Sequence, residues 1–263
     1  MENYLETNKT SWNERAKLHY NSKFYDNPSF ISGRQALPPL DLDLLGDIRY
    51  QSAIHLQCHF GQDTISLSRL GAQATGVDIS DEAIRLAREL TEQCQTDTRF
   101  ICSDIYSLPE KIDQTFDLCY SSYGTIGWLP DIQKWAEVVA HVTKKGGRFV
   151  FAEFHPVIWM FDDVLENIQF SYFKSEPIEE IIEGTYADKS AQQTFKTISW
   201  NHALSEVMQA LIDHGFIIET FKEYNYSPYN VFHNMKETEP GKFIVEKFGN
   251  KMPLVYGLVA RKR

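Results

Sequence analysis

Asp78 closes a short apolar run, Ala74-Thr75-Gly76-Val77-Asp78, and Asp104 follows a second, Arg99-Phe100-Ile101-Cys102. Upstream of both, Ile54-His55-Leu56-Gln57-Cys58-His59-Phe60-Gly61-Gln62-Asp63 begins apolar and extended and then turns at Gly61. A helix-like run from Thr64 to Leu70 follows and stops at Gly71. Strand, turn, helix, strand, acid is the unit that binds a nucleoside-containing cofactor in doubly wound α/β proteins. The turn and helix start offer backbone N–H groups, and the acid accepts hydrogen bonds from ribose hydroxyls. The plainer alternative is an ordinary strand-to-helix turn, with Asp78 and Asp104 capping the turns that follow them.

The make-up of the turn narrows the cofactor. Gln57 and His59 stand where glycines are expected, leaving Gly61 as the single glycine. A dinucleotide pyrophosphate must lie against bare backbone and needs those glycines. S-adenosylmethionine carries no phosphate, and its amino-acid end, sulfonium and ribose tolerate bulkier turn residues. His55, Cys58 and His59 contain metal-ligand types, but no second cluster completes a site, so no metal is expected.

The surrounding elements must place these residues. Residues 4–20 read as a helix with Trp12, Ala16 and Tyr20 on one face; Asn21 to Gly33 reads as loop or short helix rich in aromatics, and Pro38-Pro39 precedes a short apolar piece from Leu40 to Leu45. Together residues 1–45 form an N-terminal helical arm, placed either to act as a lid over cofactor or substrate or simply to pack its aromatics against a sheet edge. Ser80 is a good N-cap, with Ala83, Ile84, Ala87 and Leu90 as the buried face behind it. Phe116 to Tyr120 is a fourth strand, Asp131 caps a further helix that Gly146-Gly147 stop, and Arg148 to Glu153 is a fifth strand. Strands alternating with helices predict a parallel sheet. Residues 156–200 break the rhythm, with strand-prone runs at 168–173, 178–186 and 195–200, and read as an inserted antiparallel element covering a substrate. Helix returns over 202–214 with Leu204, Val207, Met208, Leu211 and Ile212 apolar. A strand runs from Phe216 to Phe221, residues 223–250 read as irregular, and Pro253 to Ala260 is the last strand.

Composition bounds the class. The 263 residues are 43% hydrophobic, enough for one domain with a full core. Lys and Arg number 26 against 36 Asp and Glu, a net charge of −10. That balance disfavours a broad nucleic-acid interface. The four cysteines form no CxxC pair and read as reduced thiols. No signal peptide is seen, and no apolar run approaches the about 20 residues of a membrane span, so a cytoplasmic protein without membrane contact is expected.

With those residues in hand, the chain resembles the class I S-adenosylmethionine-dependent methyltransferases from about Ser52 to Glu153. IHLQCHFGQDT stands where that family has its acidic, glycine-rich first motif; TGVDIS matches the second motif, CSDIYSLP the third, FDLCYSSYG the fourth, and KKGGRFVF the strand after the following helix. More narrowly it is similar to a bacterial subgroup with LQCHFG in place of the glycine-rich turn. The resemblance implies a Rossmann-like, doubly wound, mostly parallel seven-stranded sheet with an antiparallel last strand. It further implies that Gln57, Cys58, His59, Phe60 and Gly61 border the methionine end of the cofactor. Asp78 holds the ribose and Ile79 packs on the adenine; Asp104 accepts from the adenine amino group beside Ile105, and Ser121 lies near the sulfonium. The family often has an acid at the position of His55; Gln57, His59 or the arm are left to anchor the cofactor's amino group.

Methyl transfer from an activated sulfonium asks the protein mainly to align a nucleophile and exclude water. The acceptor is expected over the strand ends, where Tyr123, Trp128, Glu153 and His155 lie. His155 is the candidate general base for a hydroxyl or amine acceptor, against the alternative of a hydrogen-bonded turn residue before Pro156. Tyr123 and Trp128 are expected to wall an apolar pocket for a small organic acceptor. Two other readings remain: a cofactor-binding protein without transfer activity, and a nicotinamide-dependent oxidoreductase, which the missing glycines oppose. Neither the acceptor nor the oligomeric state is written in the chain.

Overall fold

The structure, a computed structural model, describes residues 3–263; residues 1 and 2 of the expected arm lie outside the described residues. Helices α1 (Tyr4–Tyr20), α2 (Asn27–Ile31) and α3 (Pro39–Leu45) lead into β1 (Ser52–Leu56). There follow α4 (Gln62–Arg69), β2 (Gln73–Asp78), α5 (Asp81–Cys94), β3 (Arg99–Cys102), β4 (Phe116–Ser122), α6 (Ile132–Val142) and β5 (Thr143–Phe154). The remainder comprises β6 (Ile178–Glu183), β7 (Thr194–Ser199), α7 (Leu204–Asp213), β8 (Phe216–Tyr224), β9 (Met235–Glu239), β10 (Lys242–Val245) and β11 (Val255–Lys262). The main sheet runs β3-β2-β1-β4-β5-β11-β8. The first five of these strands are parallel, whereas β11 is antiparallel to both β5 and β8. The order reverses direction at β1, where neighbours β2 and β4 flank it, so β1 and β4 end at a switch point suited to a ligand.

Side-chain alternation along the central strands explains why both faces are covered. In β5, Phe149 and Phe151 join Trp135 and Val139 of α6 and Val207 of α7 on one face. Val150, Ala152 and Phe154 join Leu40, Leu44 and Leu45 of α3 on the other. A third cluster packs Ala83, Ile84, Ala87 and Leu90 of α5 against Phe60, Phe100, Ala16 and Phe30, tying the arm to the sheet. Ser80 caps α5, its hydroxyl accepting from the Ala83 N–H at 2.9 Å.

Trp12, Ala16 and Tyr20 do share a face of α1 turned to the domain: Ala16 is buried and the half-buried Trp12 and Tyr20 pack on His59 and Phe60, with Asn8, Ser11, Arg15 and His19 also buried. Some local expectations are corrected. Gly146-Gly147 do not stop α6: the chain passes directly from Val142 into β5. Gly146 has φ +77°, and a Cβ on Gly147 would lie 2.9 Å from the Lys144 carbonyl oxygen, so the pair forms a bulge against β4. Ile212 is 49% exposed on α7. Residues 223–250 contain the β9–β10 hairpin, and of the three strand-prone runs in 156–200 the first forms only an isolated bridge, Phe161 with Ile168. The other two pair as the antiparallel hairpin β6–β7. Asn8 of α1 grips that hairpin, donating to the Ile198 carbonyl at 2.8 Å and accepting from its N–H at 3.0 Å.

Candidate active site

The turn after β1 keeps a glycine-type backbone without the glycines. Gln57, His59 and Gly61 have φ of +56°, +52° and +82°. A side-chain-bearing residue in this left-handed region costs roughly 1–2 kcal/mol, so something must hold 57 and 59 there. Gln57 donates through Nε2 to the Thr125 carbonyl at 2.8 Å. The His59 N–H donates to Asp78 Oδ2 at 2.8 Å, and its ring Nε2 meets His19 Nδ1 of the arm at 2.9 Å. Gly61 must remain glycine: a Cβ there would sit 2.5 Å from the Phe100 ring. What this turn gives up is the open space above the backbone, occupied by the Gln57 and His59 side chains.

Asp78 ends β2 with both oxygens engaged, Oδ2 on the His59 N–H and Oδ1 on the Ser80 N–H at 2.9 Å. Burial pushes its carboxyl up to about 6, and the backbone donors oppose that rise. It therefore struts the turn as well as lining the cleft. Asp104 caps its own loop through the Ser107 N–H at 3.0 Å. The residues Gln57 to Gly61, Asp78, Ile79, Asp104 and Ile105 all line one cavity of about 770 Å³, as do Tyr123 and Trp128. The arm, β6–β7 and residues 229–233 supply the rest of its wall.

Two expected site residues fall outside this cavity. Ser121 is fully buried and donates towards Leu56 O at 3.4 Å and Thr125 Oγ1 at 3.2 Å; its neighbour Ser122 lines the cleft instead, because successive strand residues face opposite ways. His155 has both ring nitrogens committed. Nδ1 accepts from the Val157 N–H at 3.2 Å, which leaves Nε2 as the donor to Glu223 Oε1 at 2.9 Å. This is the turn residue before Pro156, fixed behind the cleft beside Tyr256, and burial lowers its pKa. Glu153 does line the cleft, but its carboxylate accepts from the N–H groups of Gly124, Thr125, Ile126 and Phe154 and from the Thr125 hydroxyl. It fastens the loop after β4.

Several lining residues were not picked out from the sequence. Asp63, in the first turn of α4, lies 3.4 Å from Ser122 Oγ, and burial pushes its carboxyl up to about 6. The adjacent Gly61 could have drawn attention to it. Tyr25, Tyr186 and Tyr229 come from three distant segments, with Tyr25 and Tyr186 joined hydroxyl to hydroxyl at 2.6 Å. Tyr123 Oη donates to Asp41 Oδ2 at 2.6 Å and Tyr120 Oη to Asp41 Oδ1 at 2.5 Å. Burial pushes Asp41 up to about 7. No local pattern marks these contacts. The imidazoles of His19, His55 and His59 are lowered by burial to about 2, 3 and 3, so all three are neutral.

A ligand-shaped deficit remains. Arg15 Nη2, Arg34 Nε, His55 Nε2, Gln57 Oε1 and Tyr256 Oη are buried without a hydrogen-bond partner, and all five residues line the same cleft. Unpaired buried polar atoms cost about 1–3 kcal/mol each. Two guanidinium donors call for an anion and the Gln57 oxygen calls for a donor, while His55 Nε2 takes the role opposite to that of Nδ1 in its bond with Thr64 Oγ1. A zwitterionic amino-acid group supplies both. Among the described residues, no three or more His, Cys, Asp or Glu are grouped as a metal site would require, all four cysteines are free, and no helix is long and apolar enough to cross a membrane.

Residues 53–147 match the family described as "Methyltransferase domain". The ubiquinone biosynthesis O-methyltransferase of Coxiella burnetii (strain RSA 493 / Nine Mile phase I) is 30% identical over 105 residues, 40% of this chain and 44% of that one. The ribosomal protein L11 methyltransferase of Neisseria gonorrhoeae (strain ATCC 700825 / FA 1090) is 33% identical over 103 residues, 39% and 32% of the two chains. The chain thus spans less than half the length of these curated relatives. A solved structure of an S-adenosylmethionine dependent methyltransferase from Mesorhizobium loti superposes with a TM-score of 0.59 at 20% identity, over 88% of this chain and all of the other, which establishes the fold.

Proposed function

We propose that this chain, whose residues 53–147 are a methyltransferase domain on a class I, Rossmann-like fold, transfers a methyl group from S-adenosylmethionine to a small organic acceptor. The observation that carries this reading is the single cleft in which the 57–61 turn, Asp78, Asp104 and the unpartnered Arg15, Arg34, His55 and Gln57 atoms meet. When bound, the cofactor supplies a methyl group already activated on sulfonium.

The chain's own residues have four tasks. Arg15 and Arg34 take the carboxylate of the amino-acid end, and Gln57 Oε1 accepts from its ammonium, joined by His55 Nε2 in the tautomer whose Nδ1–H donates to Thr64 Oγ1, standing in for the acid the family often has at position 55. Asp78, held by the His59 and Ser80 N–H groups, presents its remaining lone pairs to the ribose. Asp104 and the Ile105 backbone border the adenine, with Ile79 packed against it. Residues 3–45 and the 156–200 insertion act as a cover that excludes water, an arrangement supported by the Asn8–Ile198 and His19–His59 bonds across their contacts. The acidic net charge is consistent with a small acceptor rather than nucleic acid.

Titration calorimetry with S-adenosylhomocysteine tests the reading, with NAD as the control ligand. Micromolar binding by wild type, weakened in Asp78→Ala, is the expected result. Folded, ligand-free protein that takes NAD in preference, or binds neither, would sink it.

A further inference from the structure

The end of the cleft beyond Ser122 has a chemistry of its own. Asp63 is the one carboxylate there whose only hydrogen bond is a long one, 3.4 Å to Ser122 Oγ. Rings surround that space in sequence: Tyr123 meets Tyr229 at 5.3 Å between centroids, Tyr229 meets Phe24 at 5.9 Å, and Phe24 meets Tyr186 at 5.5 Å. The negative charge of Asp63 is close enough to act on the phenols of Tyr25, Tyr186 and Tyr229. A carboxylate among electron-rich ring faces is the usual environment of an organic cation. The lining is acidic on balance, with eight carboxyl side chains against three cationic ones, and of these Arg34, which the cofactor carboxylate engages, is close enough to act on Asp63. Next to the tyrosines lies an apolar floor: Phe154 touches Tyr123 at 5.5 Å, Trp159 at 5.7 Å and Phe232 at 5.2 Å. Trp159 is 41% exposed and stands at the mouth.

The geometry points to an amine with an apolar body as the methyl acceptor, its nitrogen at Asp63 within the tyrosine ring set and its body on Phe154, Trp159 and Phe232. This deepens the methyl-transfer reading and rests on it. An amine entering as ammonium must lose one proton to expose its lone pair, and Asp63 takes that proton. The nitrogen then forms one N–C bond as the donor's S–C bond breaks, and the bonding pair stays on sulfur. An anionic acceptor is repelled by the Asp63 charge, and a neutral hydroxyl gains only a hydrogen bond to it, without the charge attraction an ammonium adds.

Three probes of similar skeleton test the assignment: phenethylamine, 2-phenylethanol and 3-phenylpropanoate, each titrated by ligand-observed NMR into protein saturated with S-adenosylhomocysteine. Phenethylamine is expected to bind at least roughly tenfold more tightly than the alcohol, about 1.4 kcal/mol, with the acid weakest. Asp63→Asn should abolish the amine preference, and Tyr229→Leu should reduce it, while both variants hold S-adenosylhomocysteine within about threefold of wild type. An alcohol or acid that binds best, an amine preference that survives Asp63→Asn, or no probe binding to the saturated protein overturns the proposal. So does loss of S-adenosylhomocysteine binding in Asp63→Asn, which would assign Asp63 to the ammonium of the cofactor instead. Failure of wild type to bind S-adenosylhomocysteine at all is a different result and removes the underlying reading.

Discussion

The cleft end beneath Asp78 and Asp104 and the end walled by Tyr25, Tyr186 and Tyr229 are built in opposite ways. The first comes from consecutive strand ends within residues 55–105, each acid fixed by backbone N–H groups a few residues away or one strand over. The second is assembled from the arm, the insertion and the segment after β8, through side-chain contacts that span more than a hundred residues. Backbone-anchored groups move only if the sheet moves. Side-chain-anchored groups depend on three covers packing together, so this end can differ between proteins that share the sheet.

Glu153 sits where the two ends join, and its removal should have the largest effect. Glu153→Ala leaves the 124–126 N–H groups without their acceptor and should cost about 3 kcal/mol of stability, read as a lower urea midpoint. Asp78→Ala should spare the tyrosine end and weaken S-adenosylhomocysteine roughly ten- to a hundred-fold, the worth of a charged hydrogen bond. Should it unfold the chain instead, the two ends are not separable in the way described.

Asp41 lies buried behind the tyrosine end, bonded to Tyr123 and Tyr120, and supplies a pH test. Its folded pKa, about 7, lies above the ordinary 3.8 because the carboxyl is buried. A raised carboxyl pKa means the folded state holds the proton more tightly, so the stability it contributes is full below pH 3.8 and is lost as pH rises through 7. Wild type should therefore lose about 2 kcal/mol more than Asp41→Asn between pH 5 and pH 7, measured by chemical denaturation at both. A difference of the opposite sign would mean that Asp41 stays ionised between its two tyrosines. His155→Ala should have the smallest effect, about 1 kcal/mol of stability from the lost bonds to Val157 and Glu223, with S-adenosylhomocysteine affinity unchanged. A large loss of affinity would return His155 to the site.

Elements with strong local signals were readable in advance. Ser80 and Asp131 cap the helices they precede, and the parallel strands fall where the apolar runs do. The β9–β10 hairpin and the bulge at Gly146-Gly147 were not, since the first is a polar pair on the surface and the second depends on register against β4. Around the site, the turn, Asp78 and Asp104, picked out by their order and spacing, come together in one cleft. His155 and Ser121 were misplaced because position at a strand end says nothing about which way a side chain faces or which partners have already taken its polar atoms.

The sequence by itself determined the doubly wound sheet and the strand–turn–helix–acid unit, because periodicity, caps and turn residues act over a few positions and need no distant partner. Only the tertiary structure decided how Gln57 and His59 tolerate a left-handed backbone, which buried polar atoms are left unpaired, and that Asp63 shares a chamber with tyrosines from three other segments. Those outcomes depend on long-range packing, where a residue's chemistry is set by neighbours that its sequence position does not name.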